Sequence, residues 1–153
     1  MIRKMMIVLY IVYIVIFAAI LILAYIRFAP ANVSAIHVDP ASAQSTGKSN
    51  AYLLIGERAP VFEHPADEMA KLVDDFAMTQ PRVTRLAGNA DDKMITYVQR
   101  SLIMGYPDFI TIKVIALDNG QSKLRIFSQS RFGHSDMGVN KQRIGQWMRA
   151  LRN

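Results

Sequence analysis

Residues 108–128, with the sequence DFITIKVIALDNGQSKLRIFS, contain the strongest structural signal in the chain. Two runs rich in β-branched and apolar residues flank Asn119-Gly120, and Asn-Gly between such runs is the strongest short-range signal for a β-hairpin. In the second run, Leu124 and Ile126 share one strand face while charged residues between them occupy the other. The stretch therefore predicts an antiparallel hairpin with one buried face and positive φ at both turn positions.

Further strands are predicted where short apolar or β-branched runs recur on either side of this hairpin. Because each run is bounded by turn-forming residues, these segments are typical of strands rather than helices. Together with the hairpin, the predicted strands are residues 51–55, 82–86, 94–103, 108–117 and 123–128.

Two amphipathic helices accompany the strands. The first follows Pro65, carries an apolar stripe from Met69 and ends before Pro81. The second is expected to be capped by Asn140 and to carry an apolar stripe from Ile144. The order of elements predicts an α+β fold, a small two-layer domain with a mostly antiparallel sheet and both helices on one face.

The N-terminal segment is long and apolar enough to cross a membrane. From Met5 to Ile26, 22 consecutive residues include no charge, Pro, Gly, Asn or Gln. As a helix this run is about 33 Å long, which suffices for a hydrocarbon core of about 30 Å. We therefore predict a transmembrane anchor over residues 1–27, a mostly extended linker over 28–50 and the α+β domain over 51–153.

Flanking charges predict the orientation of this anchor. Arg3, Lys4 and the amino terminus precede the apolar run and Arg27 follows it, which favours a cytoplasmic N-terminus. A cleaved signal peptide is the alternative, since Ala29-Pro30-Ala31 resembles a cleavage site, but signal cores span only about 7–15 residues. We expect a retained single-pass anchor with the domain on the extracytoplasmic side.

The overall composition excludes several classes of protein. The chain has 153 residues, 52% of them hydrophobic, and no Cys. A disulfide scaffold, a thiolate zinc site and a Cys nucleophile are therefore excluded. The three His residues are scattered and match no metal-binding motif, so no metal and no cofactor are expected.

Positive charge is concentrated at the C-terminal end. Residues 121–153 contain seven Lys or Arg and only one acidic residue, Asp136, in a chain of net charge +6. This favours an anionic lipid, an acidic partner in a membrane complex or a polyanionic polymer of the envelope, although a solvated helix face would have the same composition. Nucleic acid is not expected, because no stacking-aromatic motif accompanies the charge.

One loop, within residues 128–143 (SQSRFGHSDMGVNKQR), is the candidate functional site. Its two glycines, small polar residues and position before a helix suit a loop that binds an anion through backbone N–H groups, with two arginines for bidentate recognition. A purely structural role is the alternative, in which the glycines supply left-handed backbone and the acidic residue pairs with an arginine. The candidate binding residues are Arg131, Gly133, Ser135, Asp136, Gly138, Asn140 and Arg143.

Residues 100–108 (RSLIMGYPD) and 128–143 also resemble the two signatures of a mainly bacterial family of domains of unknown function. The second signature is approximately S-R-S-R-x-G-x-S-D-x-G-x-N-x-x-R, from which this chain departs at Gln129. The resemblance covers roughly residues 60–151 and implies a domain anchored to, or exported across, the bacterial inner membrane, here facing the periplasm. By position it adds Arg100 and Asp108, with Ser101 and Ser130, to the candidates, and it implies no activity.

Two functions remain open on these grounds. The first is a binding or accessory module of a membrane complex that uses the candidate loop as its recognition site. The second is a small hydrolase-like enzyme of the envelope that uses Asp136, Ser135 and Arg131. Because neighbours in sequence rarely face each other as a catalytic group must, we favour the binding module and assign no catalytic residue.

Overall fold

The computed structural model of the protein describes residues 2–43 and 49–152, so residues 44–48 of the predicted linker lie outside the described residues. Two helices precede the sheet, two short strands lead into a third helix, and four consecutive strands then lead into the last helix. A short 3-10 helix, Gly56–Arg58, lies between the first two strands. The elements are α1 (Ile2–Phe28), α2 (Val33–Ile36), β1 (Ala51–Leu54), β2 (Val61–Phe62), α3 (Ala66–Thr79), β3 (Val83–Asn89), β4 (Met94–Arg100), β5 (Pro107–Ala116), β6 (Ser122–Ser130) and α4 (Val139–Ala150).

A single antiparallel sheet organises the domain. Its strand order is β1-β6-β5-β4-β3, and β2 pairs with β6 beyond β1. Strands β3 to β6 are neighbours both in sequence and in space, as short connections favour. The predicted α+β fold is confirmed, and the strand expected at 82–86 extends to Asn89.

Both helices pack on one face of the sheet, as predicted. The apolar stripe of α3 is buried, and α4 adds Ile144 and Trp147 to the same core. The Trp147 ring packs edge-on against Tyr97, with ring centroids 6.1 Å apart. The sheet contributes its inward-facing side chains Ile95, Tyr97, Ile110, Ile112, Val114, Leu124 and Ile126.

The chain that follows α1 crosses the opposite face of the sheet. A hydrogen bond of 2.8 Å joins His37 Nδ1 to Thr96 Oγ1, and Thr111 Oγ1 donates to the carbonyl of Ile36. Lys113 Nζ pairs with Asp39 at 2.6 Å. Residues 29–43, which the sequence predicts as mostly extended, thus include the short helix α2 and are held against the sheet by side chains.

The hairpin between β5 and β6 is correctly predicted, but its turn differs from the expected type. Only Gly120 has a positive φ, of +77°, whereas the prediction required it at Asn119 as well. The Leu117 amide donates to the carbonyl of Gln121, and the Gly120 amide donates to that of Leu117. The connection is therefore a three-residue loop closed by a left-handed glycine, another common hairpin solution.

We predict that Gly88→Ala destabilises the domain far more than Gly120→Ala. Both glycines have positive φ, so either substitution carries a strain of about 1–2 kcal/mol. A Cβ at Gly88 would also overlap the carbonyl oxygen of Met94 and lie 2.8 Å from His37 Cε1, whereas nothing lies within 4 Å at Gly120. The total loss at Gly88 should exceed about 3 kcal/mol because the strands must shift.

Urea unfolding of the full chain in detergent measures this difference. The single Trp, Trp147, is buried in the core and its fluorescence therefore follows unfolding of the domain. Equal losses of unfolding free energy in the two variants would show that the close approach of the strands at Gly88 does not add to the cost of the substitution.

Candidate functional site

Three strand ends bring the candidate residues to one edge of the sheet. Antiparallel pairing places the end of β4, the start of β5 and the end of β6 together, with Arg100 opposite Pro107 and Asp108 opposite Ser130. The loop of residues 101–106 joins β4 to β5, and the loop of residues 131–138 joins β6 to α4. The two regions singled out in the sequence are therefore adjacent in space.

Asp108 and Arg143 form a nearly buried ion pair across this edge. Arg143 Nη2 lies 2.5 Å from Asp108 Oδ2, and Arg143 Nη1 donates to Asn140 Oδ1 at 2.9 Å. The sequence suggested that Asp136 pairs with Arg131 or Arg143, but Arg143 takes Asp108 instead. Its guanidinium is thus committed to partners within the domain.

Helix α4 begins at Val139, and its N-cap residue is the left-handed Gly138, with a φ of +81°, so the predicted cap at Asn140 is wrong. The carboxylate of Asp136, two residues before Gly138, accepts from the first amides of the helix. Asp136 Oδ1 accepts from the Gly138 amide at 3.0 Å, and its Oδ2 accepts from the Asn140 amide at 2.7 Å. A carboxylate at this position accepts hydrogen bonds from free N–H groups, and its negative charge interacts favourably with the positive end of the helix dipole.

The protonation state of Asp136 follows from these contacts. Burial alone would raise the pKa of this carboxyl, but hydrogen bonds from the Asn140 and Gly138 amides and the Asn140 side chain outweigh burial and lower the pKa. Asp136 is therefore ionised near neutral pH, where it can accept hydrogen bonds but has no proton to donate.

Asn140 is a buried link inside the site. Its Nδ2 donates to Asp136 Oδ2 at 2.8 Å, to Ser130 Oγ at 3.1 Å and to the carbonyl of Asn50 at 3.2 Å. Its Oδ1 accepts from Ser128 Oγ. This amide therefore joins the loop, the last residues of β6 and the residue before β1, which explains why a fully buried polar side chain is tolerated.

Arg131 joins the loop to the end of α1. Its Nη1 donates to the carbonyl of Ala29 at 2.7 Å, and its Nη2 donates to that of Pro30 at 2.8 Å. The next side chain, Phe132, packs against Tyr25 with ring centroids 6.4 Å apart. The candidate loop thus holds the domain against the residues where the apolar helix ends.

The remaining candidates shape the two loops. Arg100 Nη1 donates to the carbonyl of Gly105 at 3.0 Å, which closes the first loop. Gly133 has a φ of +85°, and its carbonyl accepts from Asn50 Nδ2 at 2.8 Å. Ser135 Oγ accepts from the Met137 amide at 3.3 Å, a local turn contact.

An open cleft of about 380 Å³ lies between the two loops. Four predicted residues line it, namely Asp108, Gly133, Ser135 and Asp136, and the serines at 101 and 130 join them. The other five candidates do not line it, namely Arg100, Arg131, Gly138, Asn140 and Arg143. Sequence reasoning missed four lining residues, Tyr106, Phe132, Met137 and Val139, whose only signal was their apolar character within polar loops.

The geometry does not gather a catalytic group from the residues suggested for a hydrolase. Ser135 contacts its own loop, Asp136 accepts from the first amides of α4 and Arg131 is turned toward the end of α1. Within residues 2–43 and 49–152, no cluster of three His, Asp or Glu side chains could hold a metal ion.

Fold and site together define a two-layer α+β domain that follows one helix long and apolar enough to cross a membrane. The family described as "Protein of unknown function (DUF1499)" matches residues 29–151, and the chain therefore belongs to this family. This confirms the resemblance to a family of domains of unknown function. The comparisons with curated proteins and with solved structures found no match.

We predict that Arg143→Leu destabilises the domain by about 3–5 kcal/mol, because it leaves Asp108 buried without its counter-charge. The double variant Asp108→Leu/Arg143→Leu should lose less than the sum of its two single variants, since it removes both charges. Asp67→Asn is the control, because its pair with Lys93 is exposed to solvent and should contribute little to stability. Unfolding followed by Trp147 fluorescence measures the free energy of unfolding of each variant. A loss in the double variant equal to the sum of the two single-variant losses would contradict the pairing.

A second prediction concerns the pH dependence of stability. Because the pKa of folded Asp136 is lowered, its contribution is complete above its ordinary value of 3.8 and is lost as pH falls through the lower folded value. Wild type should exceed Asp136→Asn in stability by about 0.3–1 kcal/mol at neutral pH, because Asn keeps an oxygen that can accept from the helix but has no charge to interact with the helix dipole. This gap should close as pH falls below about 4. Urea titrations across that range test the expectation, and a gap independent of pH would refute it.

Proposed function

We propose that the protein is a single-pass membrane-anchored accessory module, with its N-terminus in the cytoplasm and its domain on the extracytoplasmic side. Helix α1 supports the anchor, since the span Arg3–Phe28 is apolar and its central part is not buried by the rest of the protein. Arg3 and Lys4 on the N-terminal flank support the orientation.

The observation that carries the proposal is the hydrogen-bonded contact between Arg131 and the residues after α1. Cleavage within Ala29-Pro30-Ala31 would disrupt the segment whose carbonyls accept from Arg131. Ile26, inside the apolar run, is also buried by the domain. These contacts of the domain with the end of α1 support a retained helix, and they suit a module that presents a binding surface at the membrane.

The recognition site in this proposal is the cleft between residues 101–106 and 131–138. The hydroxyl groups of its three serines offer hydrogen bonds, while Tyr106 and Phe132 offer apolar walls. Polar groups converging in an apolar cleft are typical of binding sites. Since the cleft lies beside the end of α1, we assign it a segment of a neighbouring membrane protein that emerges at the same surface.

Co-purification in a mild detergent tests this function. Val139→Trp should fill the cleft, whereas Val61→Trp places the same side chain near the opposite end of β6. The two valines are similarly exposed, at 46% and 41%, so they form a matched pair. A membrane protein retained by wild type and by Val61→Trp should be lost from Val139→Trp.

Two outcomes would contradict the proposal. The first is a set of co-purified proteins that is the same for wild type and both variants, because the cleft would then have no part in retaining a partner. The second is retention of lipid alone, with no protein, because the module would then not be part of a complex.

The contact of Arg131 yields a separate prediction. In Arg131→Ala, trypsin should cleave the full chain in detergent after Arg27 more than about tenfold faster, because two charge-assisted hydrogen bonds that hold this segment are removed. Arg131→Lys should be intermediate, since an ammonium cannot reproduce the fork of the guanidinium.

Trp147 fluorescence supplies the control for this experiment. The three proteins should unfold at similar urea concentrations if the change is local to the segment after α1. An unchanged cleavage rate in Arg131→Ala would show that this contact does not hold the domain on its helix.

A further inference from the structure

The two loops that border the cleft both expose large apolar side chains. In the turn between β4 and β5, Leu102 is 74% exposed and Ile103 is 86% exposed, and Met137 in the second loop is 96% exposed. Together with Met104, these residues form what we call the apolar lip. Contiguous exposed apolar side chains mark contact surfaces for proteins or membranes, unlike single exposed ones.

The apolar lip lies beside the end of the membrane-spanning helix. A Cβ placed at Gly105, next to the lip, would lie 3.1 Å from Nη1 of Arg27. The ring of Phe132 packs both on Tyr25 of α1 and on Tyr106 of the first loop, with centroids 6.4 and 6.0 Å apart. These contacts put the lip at the level of the last turn of α1, where the hydrocarbon core meets the head groups.

We propose that the apolar lip inserts into the surface of the bilayer that α1 crosses, so that the domain contacts lipid at a second point beside its anchor. Aromatic rings prefer this zone, and Tyr25, Tyr106 and Phe132 occupy it. This interaction goes beyond the proposed function, because it requires no partner protein.

The charges beside the lip suit anionic head groups. Arg27 ends the span, and Arg100 stands at the base of the lip loop with one guanidinium nitrogen bonded to the carbonyl of Gly105. Basic residues just outside a spanning helix are attracted to anionic lipids. Apolar side chains at the tip with cations behind them are the arrangement that an interfacial contact requires.

The attachment of the domain to α1 favours the bilayer over a protein as the occupant of the lip. Arg131 holds the second loop to Ala29 and Pro30, so the lip cannot move far from the plane in which the helix ends. An exposed side chain at that level, next to a spanning helix, faces lipid unless a partner displaces it. The occupant closest to the lip is thus the membrane itself.

Single-cysteine labelling tests the insertion, since the chain has no Cys of its own. The full chain is reconstituted in vesicles of phosphatidylcholine and phosphatidylglycerol that contain nitroxide-labelled lipid. An environment-sensitive dye is attached to Ile103→Cys or Met137→Cys, and Asn119→Cys at the far hairpin is the matched control. We expect blue-shifted emission and loss of fluorescence by quenching at positions 103 and 137, and neither change at 119.

A second variant keeps the test independent of folding. With the dye at Met137→Cys, the added substitution Ile103→Glu should remove the quenching while Trp147 fluorescence shows that the domain is still folded. Dyes at 103 and 137 that behave like the dye at 119 would overturn the proposal. Shielding of the lip only after a partner protein is added would overturn it in favour of a protein contact. The purified vesicles contain no partner, so failure here leaves the cleft proposal untouched.

Discussion

The two hydrogen bonds from Arg131 to the carbonyls of Ala29 and Pro30 are the contact on which the arrangement of this protein depends. Carbonyls that follow the end of a helix have no partner within it, and a guanidinium satisfies two of them at once. Through this contact the end of α1, the loop after β6 and the edge of the sheet form one unit. The position of the cleft and of the apolar lip relative to the membrane follows from it.

The buried polar contacts behind the cleft change how its chemistry is understood. The guanidinium of Arg143 is paired with Asp108, and the carboxylate of Asp136 is used by the start of α4. Much of the positive charge that suggested an anion site is therefore part of the internal framework. The cleft offers hydroxyl groups and aromatic walls, which is why the proposed ligand is a protein segment and not a free anion.

Local patterns in the sequence predicted the fold well because strand alternation and helical stripes are repeated over many residues. The hairpin, the helix after Pro65 and the apolar α1 all carry such patterns. Single-residue assignments were less accurate. Asn140 has the right chemistry for a cap, but the left-handed Gly138 takes the N-cap position, and the carboxylate of Asp136 accepts from the first amides of the helix. Which of two suitable side chains caps a helix depends on backbone angles that composition does not specify.

The α+β class, the apolar N-terminal helix and the two candidate loops could all be read from local patterns, since each depends on neighbouring residues. The roles of individual side chains within those loops depend instead on tertiary packing. Arg131 meets Ala29 more than a hundred positions away in the chain, and Arg143 meets Asp108 from a different element. The partner of a charged side chain is chosen by how strands and helices pack, and no local pattern encodes that choice. The apolar lip likewise can be proposed as a membrane contact only because packing places it beside the end of α1.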